Sequence, residues 1–312
     1  MIYIFKTDEE NRLQTNQEME KGCWVHLVKP TEAEIQSVID ETGVLPEFVR
    51  AALDDEERAR IETDEGQTLI VVDTPFREPG ADAGVLSTIP VAMIILPKLL
   101  LTVCLYENTV LDDFVKGRVR NVETSFKTRT ILQMLYRNAN RFMYHLRQIS
   151  KQSREVEEAL HLSTENKELI QMMSLQKSLI YFSTALKSNE VVLEKMMRHE
   201  QVKNYPEDAE ILEDVIIENK QAIEMTDIYS NLLTGTMDAF ASIISNNLNI
   251  VMRFLAAVTI VISVPTMLAS FYGMNITYMP FIDSPYSFLV IVLIALSLGV
   301  AAAFWLKRRR MF

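Results

Sequence analysis

Between Asn249 and Ser270 lies a set of uncharged residues that could do chemistry. Asn249, Met252, Ala256, Thr259, Ser263, Thr266 and Ser270 recur at alternating steps of three and four, so they share one stripe of an α-helix. Phe254, Leu255, Val258, Ile260, Val261, Ile262 and Leu268 cover the rest of that helix. Hydrocarbon offers polar groups no partner, so a polar stripe in an apolar helix has a reason. One reason is helix–helix packing, where small residues let backbones approach. The other is the wall of a water-filled path. The stripe alone leaves both open.

Most of this stripe falls in the stretch Arg253 to Asn275, and Phe254 through Ile282 contain no charged side chain. About twenty apolar residues cross a bilayer. Pro265 is tolerated in such a helix if the freed carbonyl finds a partner. Gly273 is expected to end the helix through left-handed backbone angles, and Tyr272 suits the membrane interface. A second uncharged run, Ser284 to Leu306, stops at Lys307-Arg308-Arg309-Arg310. The chain thus ends in a two-helix hairpin across a lipid bilayer.

The 312 residues carry a formal net charge of −11 with a pI near 5.0. That argues against nucleic acid as a partner and suits a protein that handles cations. The N-terminus has no signal-peptide pattern. Cys23 and Cys104 read as reduced and packed rather than as a staple or zinc site. His26, His145, His161 and His199 lack ligand spacing and read as structural or surface residues. No phosphate loop, dinucleotide fingerprint or nucleophile elbow is present. The chain is therefore not expected to be an enzyme, nor to carry an organic cofactor.

The predicted fold is an α+β membrane protein. Residues 1–125 form an α/β sandwich, with strands at Met1–Lys6, Trp24–Val28, Leu69–Val72, Val91–Leu96 and Leu99–Leu105. A capped helix starts at Thr31, with Glu34 three residues on. A short helix spans Pro46–Leu53, and a turn covers 79–84. Residues 126–204 form an antiparallel helical hairpin that breaks near His161–Glu165, where Ser163-Thr164 could cap the second helix. Pro206, a good first-turn residue, opens a stalk helix over 205–245, interrupted only by Gly235. The stalk continues into the pore domain, 246–312. Read as one helix from about 206 to about 272, it is on the order of 100 Å long. Its upper part is acidic, and carboxylates brought together between subunits would attract a divalent cation.

The segment between the two membrane helices carries Asp283 and no Lys or Arg, whereas the far end is basic. Positive residues stay cytoplasmic, so both termini face the cytosol. Two helices cannot enclose a pore, so the pore reading requires a homo-oligomeric ring.

Tyr272-Gly273-Met274-Asn275, followed by Tyr278-Met279-Pro280, resembles the signature of the CorA family of magnesium channels. Gly22-Cys23-Trp24-Val25-His26-Leu27, Pro30-Thr31 and Glu34 resemble that family's early tryptophan strand and the helix start after it. Arg60-Ile61-Glu62 and Leu101-Thr102-Val103 resemble later strands. The resemblance implies a pentamer in the cell membrane that moves hydrated Mg²⁺, with Co²⁺ or Ni²⁺ also possible cargo. It implies a selectivity filter at Tyr272, Gly273, Met274 and Asn275, where the Asn275 amide and the Gly273 carbonyl meet the ion. It matches Asn249, Met252, Leu255, Thr266 and Tyr272 to pore positions, with Met252 and Leu255 as the apolar gate. It implies regulatory Mg²⁺ at Asp214, with Glu78 as the partner carboxylate. The sequence departs from the family at Thr277, where many relatives carry an acid. Related zinc transporters share the architecture, which leaves ion and direction open. The reading from another class is a membrane-anchored structural or signalling protein.

Overall fold

The computed structural model describes residues 1–8, 12–77, 85–162, 166–199, 205–275, 280 and 286–309. The turn expected over 79–84, the Ser163-Thr164 cap, Glu78, Thr277, Tyr278, Met279, Asp283 and Arg310 lie outside the described residues. The chain divides into two compact units, Met1–Thr236 and Met237–Phe312.

The first unit is built on a seven-stranded sheet in the order β2-β1-β3-β7-β6-β5-β4. Its strands are β1 (Ile2–Thr7), β2 (Leu13–Thr15), β3 (Trp24–Val28), β4 (Arg60–Asp64), β5 (Gln67–Phe76), β6 (Ser87–Ile95) and β7 (Leu100–Cys104). β3 and β7 pair in parallel, and the other neighbours are antiparallel. β3 and β7 are buried along their whole length. Their continuous apolar runs follow from cover on both faces.

Alternation along each strand divides the core in two. Leu69, Val71, Leu101 and Val103 pack on α1 (Glu32–Thr42) and α2 (Pro46–Arg50) through Ile35, Val38, Phe48 and Val49. Ile70, Val72, Trp24 and Leu100 face the other way. They meet α3 (Thr109–Val115), α4 (Lys127–Leu162), α5 (Asn166–Met196) and the first turns of α6 (Pro206–Tyr272) through Phe114, Ile131, Leu135, Val192, Leu212 and Val215. The capping box at α1 is formed: Thr31 Oγ1 accepts the Glu34 N–H at 3.3 Å, and Glu34 accepts the Thr31 N–H at 2.8 Å. The helix expected over Pro46–Leu53 is α2 followed by a 3₁₀ turn, Ala51–Leu53. β2 and α3 were not among the expected elements. Gly235 does not interrupt α6.

Ion pairs fasten this unit. Asp113 on α3 is 1 % exposed. It accepts from Arg118 at 3.0 Å, from Arg137 Nε at 2.9 Å and from Arg141 at 2.5 Å. Burial pushes its carboxyl up, but the Arg137 and Arg118 hydrogen bonds and the charges of Arg141 and Arg137 outweigh that and hold it below the usual range. Arg129 on α4 ties down the start of α6 through Glu207 at 2.6 Å and Asp208 at 3.0 Å. Both cysteines are free and buried.

In the second unit, the end of α6 packs beside α7 (Ser287–Arg308). Ala257 of α6 is fully buried, and Val261, Val264, Pro265, Leu268 and Tyr272 are half-buried. From α7, Gly299 and Leu306 are buried, and Ile291, Ala295, Ala302 and Ala303 are half-buried. A Cβ placed on Gly299 would lie 3.4 Å from Pro265 Cγ and 3.9 Å from the Val261 carbonyl oxygen. Val261 is four residues before Pro265, so its carbonyl is the one that proline leaves without an amide donor. The bare backbone of Gly299 is what lets the second helix approach that point.

Two stability predictions follow from these contacts. A Gly299→Leu side chain has no room against Pro265, so it should cost on the order of 2 kcal/mol of overpacking. Gly299→Ala makes only ordinary contact and should be tolerated. Thermal unfolding of the full chain in detergent would compare them, and equal midpoints for both variants would refute this packing.

The second prediction concerns pH. His26 is 3 % exposed and shares Thr102 Oγ1 with Trp24. Burial lowers its pKa to about 4, and burial likewise lowers His145 to about 4. The unfolded chain then binds more protons than the folded one between about pH 4 and about pH 6.5, so stability falls as pH falls through that window. For His26 this is worth up to about 3 kcal/mol. Asp73, raised to about 6 by burial, gives the opposite slope between about pH 4 and about pH 6. With two histidines against one aspartate, melting points should drop from pH 6.5 to pH 4, and less steeply in His26→Gln.

Candidate ion pathway

The structure shows which side of α6 carries the stripe. Asn249, Met252, Ala256, Thr259, Ser263, Thr266 and Ser270 are all exposed in the single chain. None belongs to the buried or half-buried face that meets α7. Ser263 is two residues before Pro265, about 200° round the helix at about 100° per residue. The polar stripe therefore lies on the far side of α6 from its partner helix. Packing within the hairpin does not explain it.

The hydroxyls on this stripe have already spent their protons. Thr259 Oγ1 donates to the Leu255 carbonyl at 2.8 Å, Ser263 Oγ to the Thr259 carbonyl at 2.7 Å, and Thr266 Oγ1 to the Ile262 carbonyl at 2.8 Å. Each hydroxyl oxygen keeps lone pairs that its own helix does not use. The exposed face thus presents acceptors and no charge. Such a face suits a cation that arrives with its water shell, because coordinated waters are hydrogen-bond donors. Met252 and Leu255, 57 % and 58 % exposed, interrupt it with apolar bulk nearer the stalk.

The helix ends at Tyr272, and the Gly273 N–H is shared between the Ala269 carbonyl at 3.0 Å and the Ser270 carbonyl at 3.2 Å. The Met274 N–H donates to Phe271 at 3.3 Å. Left-handed angles, expected here for Gly273, do not occur: among the described residues, positive φ belongs to Gly22, Gly43, Gly66 and Gly117 and to Lys29, Glu65 and Asn121. The last turn tightens with i→i+3 bonds instead, another way to use the orphan carbonyls of a helix end. A Cβ at Gly273 would meet the Ala269 and Ser270 oxygens at 3.4 and 3.5 Å, ordinary contact distances. Asn275 and Met274 are exposed. The Tyr272 hydroxyl donates to the Pro280 carbonyl at 3.2 Å and so clasps the segment that follows the motif.

Asp214, expected to hold a regulatory ion, is exposed on α6. Among the described residues, no group of three or more His, Cys, Asp or Glu side chains is placed to hold a metal. Asp214 is the one carboxylate among the residues that line its cleft. Its neighbours include Arg118, Arg120 and Arg137, which line the same cleft, an arrangement that reading the sequence missed. Lys307 and Arg308 close α7, and Arg309 lies over the Trp305 ring at 5.6 Å.

The far ends of α6 and α7 are long and apolar enough to cross a membrane. The core helix of a soluble protein would be mostly buried. Here 6 % and 11 % of the most apolar stretches are buried, so these surfaces need a non-aqueous surround.

Known proteins agree with this architecture. A family model described as a CorA-like Mg²⁺ transporter protein matches residues 19–308. The cobalt/magnesium transport protein CorA of Methanocaldococcus jannaschii is 26 % identical over 283 residues, spanning 86 % of this chain and 84 % of that protein. The complete structure of the CorA magnesium transporter from Methanocaldococcus jannaschii aligns with TM-score 0.83 at 22 % identity, over 99 % of this chain and 96 % of that one. The cytoplasmic domain of ZntB from Vibrio parahaemolyticus aligns with TM-score 0.60 at 11 % identity, over 79 % of this chain and 97 % of that domain. At these identities the two structural likenesses carry the fold. With the family model spanning nearly the whole length, the chain belongs to the CorA-like Mg²⁺ transporter family.

Proposed function

We propose that this chain is the subunit of a homo-oligomeric divalent-cation channel, a pentamer, that carries hydrated Mg²⁺ across the cell membrane with both termini in the cytosol. The observation that carries the reading is the uncharged acceptor stripe on the side of α6 turned away from its partner helix. Copies of α6 around an axis turn that stripe inward, which gives its acceptors a wet surround and leaves the apolar flanks to lipid. Asn275 and the Gly273 carbonyl sit at the outer mouth as neutral oxygens. There they hydrogen-bond the water shell of an ion that dehydrates reluctantly. A membrane potential, negative inside, draws the cation inward.

Met252 and Leu255 form the gate. A ring of exposed methionine and leucine side chains expels water when narrow, and a hydrated ion cannot pass a dry constriction. Closure is governed from Asp214. A second subunit completes the site, since Asp214 is the one carboxylate lining its cleft, and Glu78 is the residue we assign to it. Cytosolic Mg²⁺ bound there relieves carboxylate repulsion and holds the stalks together. Its loss lets them part.

Flux into vesicles containing the full chain, read with a Mg²⁺-sensitive dye, tests the filter. Asn275→Ala should reduce Mg²⁺ entry by at least about tenfold while the oligomer persists. Unchanged entry would leave the hairpin as a membrane anchor. Parallel runs with Co²⁺, Ni²⁺ and Zn²⁺ assign the cargo, and reversing the gradient assigns the direction. The second test concerns regulation. Asp214→Asn should keep conducting at internal Mg²⁺ concentrations that shut the native channel. A variant inhibited at the same internal concentration would remove Asp214 from the mechanism.

A further inference from the structure

The cleft beside Asp214 is lined by more cations than anions. It encloses about 530 Å³ between α4, the segment after α3 and the early turns of α6, a volume that suits a small organic ligand. Arg118, Arg120 and Arg137 line it together with Tyr136 and Gln133. Against three guanidinium groups stands one lining carboxylate, Asp214. Beneath them Asp113 already takes Arg118 and Arg137, and with them Arg141 from outside the cleft. In a chain of net charge −11 this local excess of positive charge is out of pattern.

The wall is also prepared for an anion. Asp113 clamps Arg137 by two nitrogens, at 2.9 and 2.8 Å, and Arg118 by one at 3.0 Å. Two of the three cations are thereby held in place before a ligand arrives, and each keeps N–H donors that one carboxylate cannot use. Arg120 is exposed and forms no ion pair among the described residues. Tyr136 exposes 40 % of its surface there, a ring face without a partner. Gln133 gives its amide N–H to the Asn121 carbonyl at 3.3 Å, and its oxygen Oε1 is buried with no donor.

We propose that this cleft binds a nucleoside polyphosphate. The phosphates lie on the arginines, which suit phosphate geometry. The base lies against Tyr136. The ligand bridges α4 to α6 at the level of Asp214. The binding does not depend on the transport reading, because it is measured without any divalent cation.

The test is calorimetric titration of the full chain in detergent with ATP, tripolyphosphate and adenosine, in a chelator and moderate salt. ATP should bind saturably and adenosine should not. Arg120→Glu, which removes no contact of the fold, should weaken ATP at least about tenfold. Tyr136→Ala should weaken ATP several-fold and leave tripolyphosphate unchanged. Asp214→Asn should tighten ATP, since it deletes the opposing charge. A cation site would respond in the opposite way. Absence of saturable ATP binding, full affinity in Arg120→Glu, or weaker binding in Asp214→Asn each overturns the proposal. Tripolyphosphate binding as tightly as ATP overturns its nucleoside half.

Discussion

One constraint governs the membrane unit: hydrocarbon leaves no polar group to be satisfied by solvent. Three hydroxyls of α6 meet it by donating one turn back along the helix. Pro265 creates an exception, since it cannot donate to the Val261 carbonyl. Gly299 of α7 brings bare backbone against the same spot. The buried and half-buried side of α6 faces α7 there, and the polar stripe lies on the opposite side.

The soluble unit solves a different problem. α6 begins there, and its first turns lack apolar length of their own. Leu212, Val215 and Ile216 supply anchorage in the sheet core. Arg129 adds a charged tie to Glu207 and Asp208 at the helix start, where negative charge also favours the helix dipole. The Asp113 cluster is more than a fastening. Removing the carboxylate would leave Arg137 and Arg141 facing each other across one helical turn, a like-charge pair that disfavours α4. That buried acid keeps a basic wall intact in an acidic protein, close to the residue assigned to sensing Mg²⁺.

Much of this was legible in the sequence because it is written in local chemistry. Thr31 and Glu34 announce a cap, and the cap is formed. Pro206 opens α6, and the absence of charge from Phe254 onward marks its membrane portion. The buried strands show as unbroken apolar runs because both faces are covered. β2 was missed because Leu13–Thr15 is short and mostly exposed, which leaves no alternating pattern to read. α3 was missed because its signal is a single Asn108 cap, whose side chain accepts the Val110 and Leu111 N–H groups. The arginine cleft was illegible for another reason. Arg118 and Arg120 follow α3 and Arg137 lies on α4, and no spacing links that pair to Arg137 until the fold brings the two segments together. The stripe itself was read correctly as one face. Its meaning was not decidable, because which face meets the neighbour depends on Gly299, thirty-four residues beyond Pro265.

The motif glycine carries the reasoning one step further. Gly273 was expected for its left-handed angles, and those it does not use. Nor does crowding within its own chain require it, because a Cβ would fit at ordinary contact distance. Conformation and local space, the two usual reasons for a glycine at a helix end, are thus both removed. What is left is access from outside the chain. A glycine in the closing turn keeps the carbonyls around it uncovered, next to Asn275, whose exposed amide is the other neutral oxygen at that end. In the channel proposed above, a ring of such tips would present bare backbone to a hydrated cation.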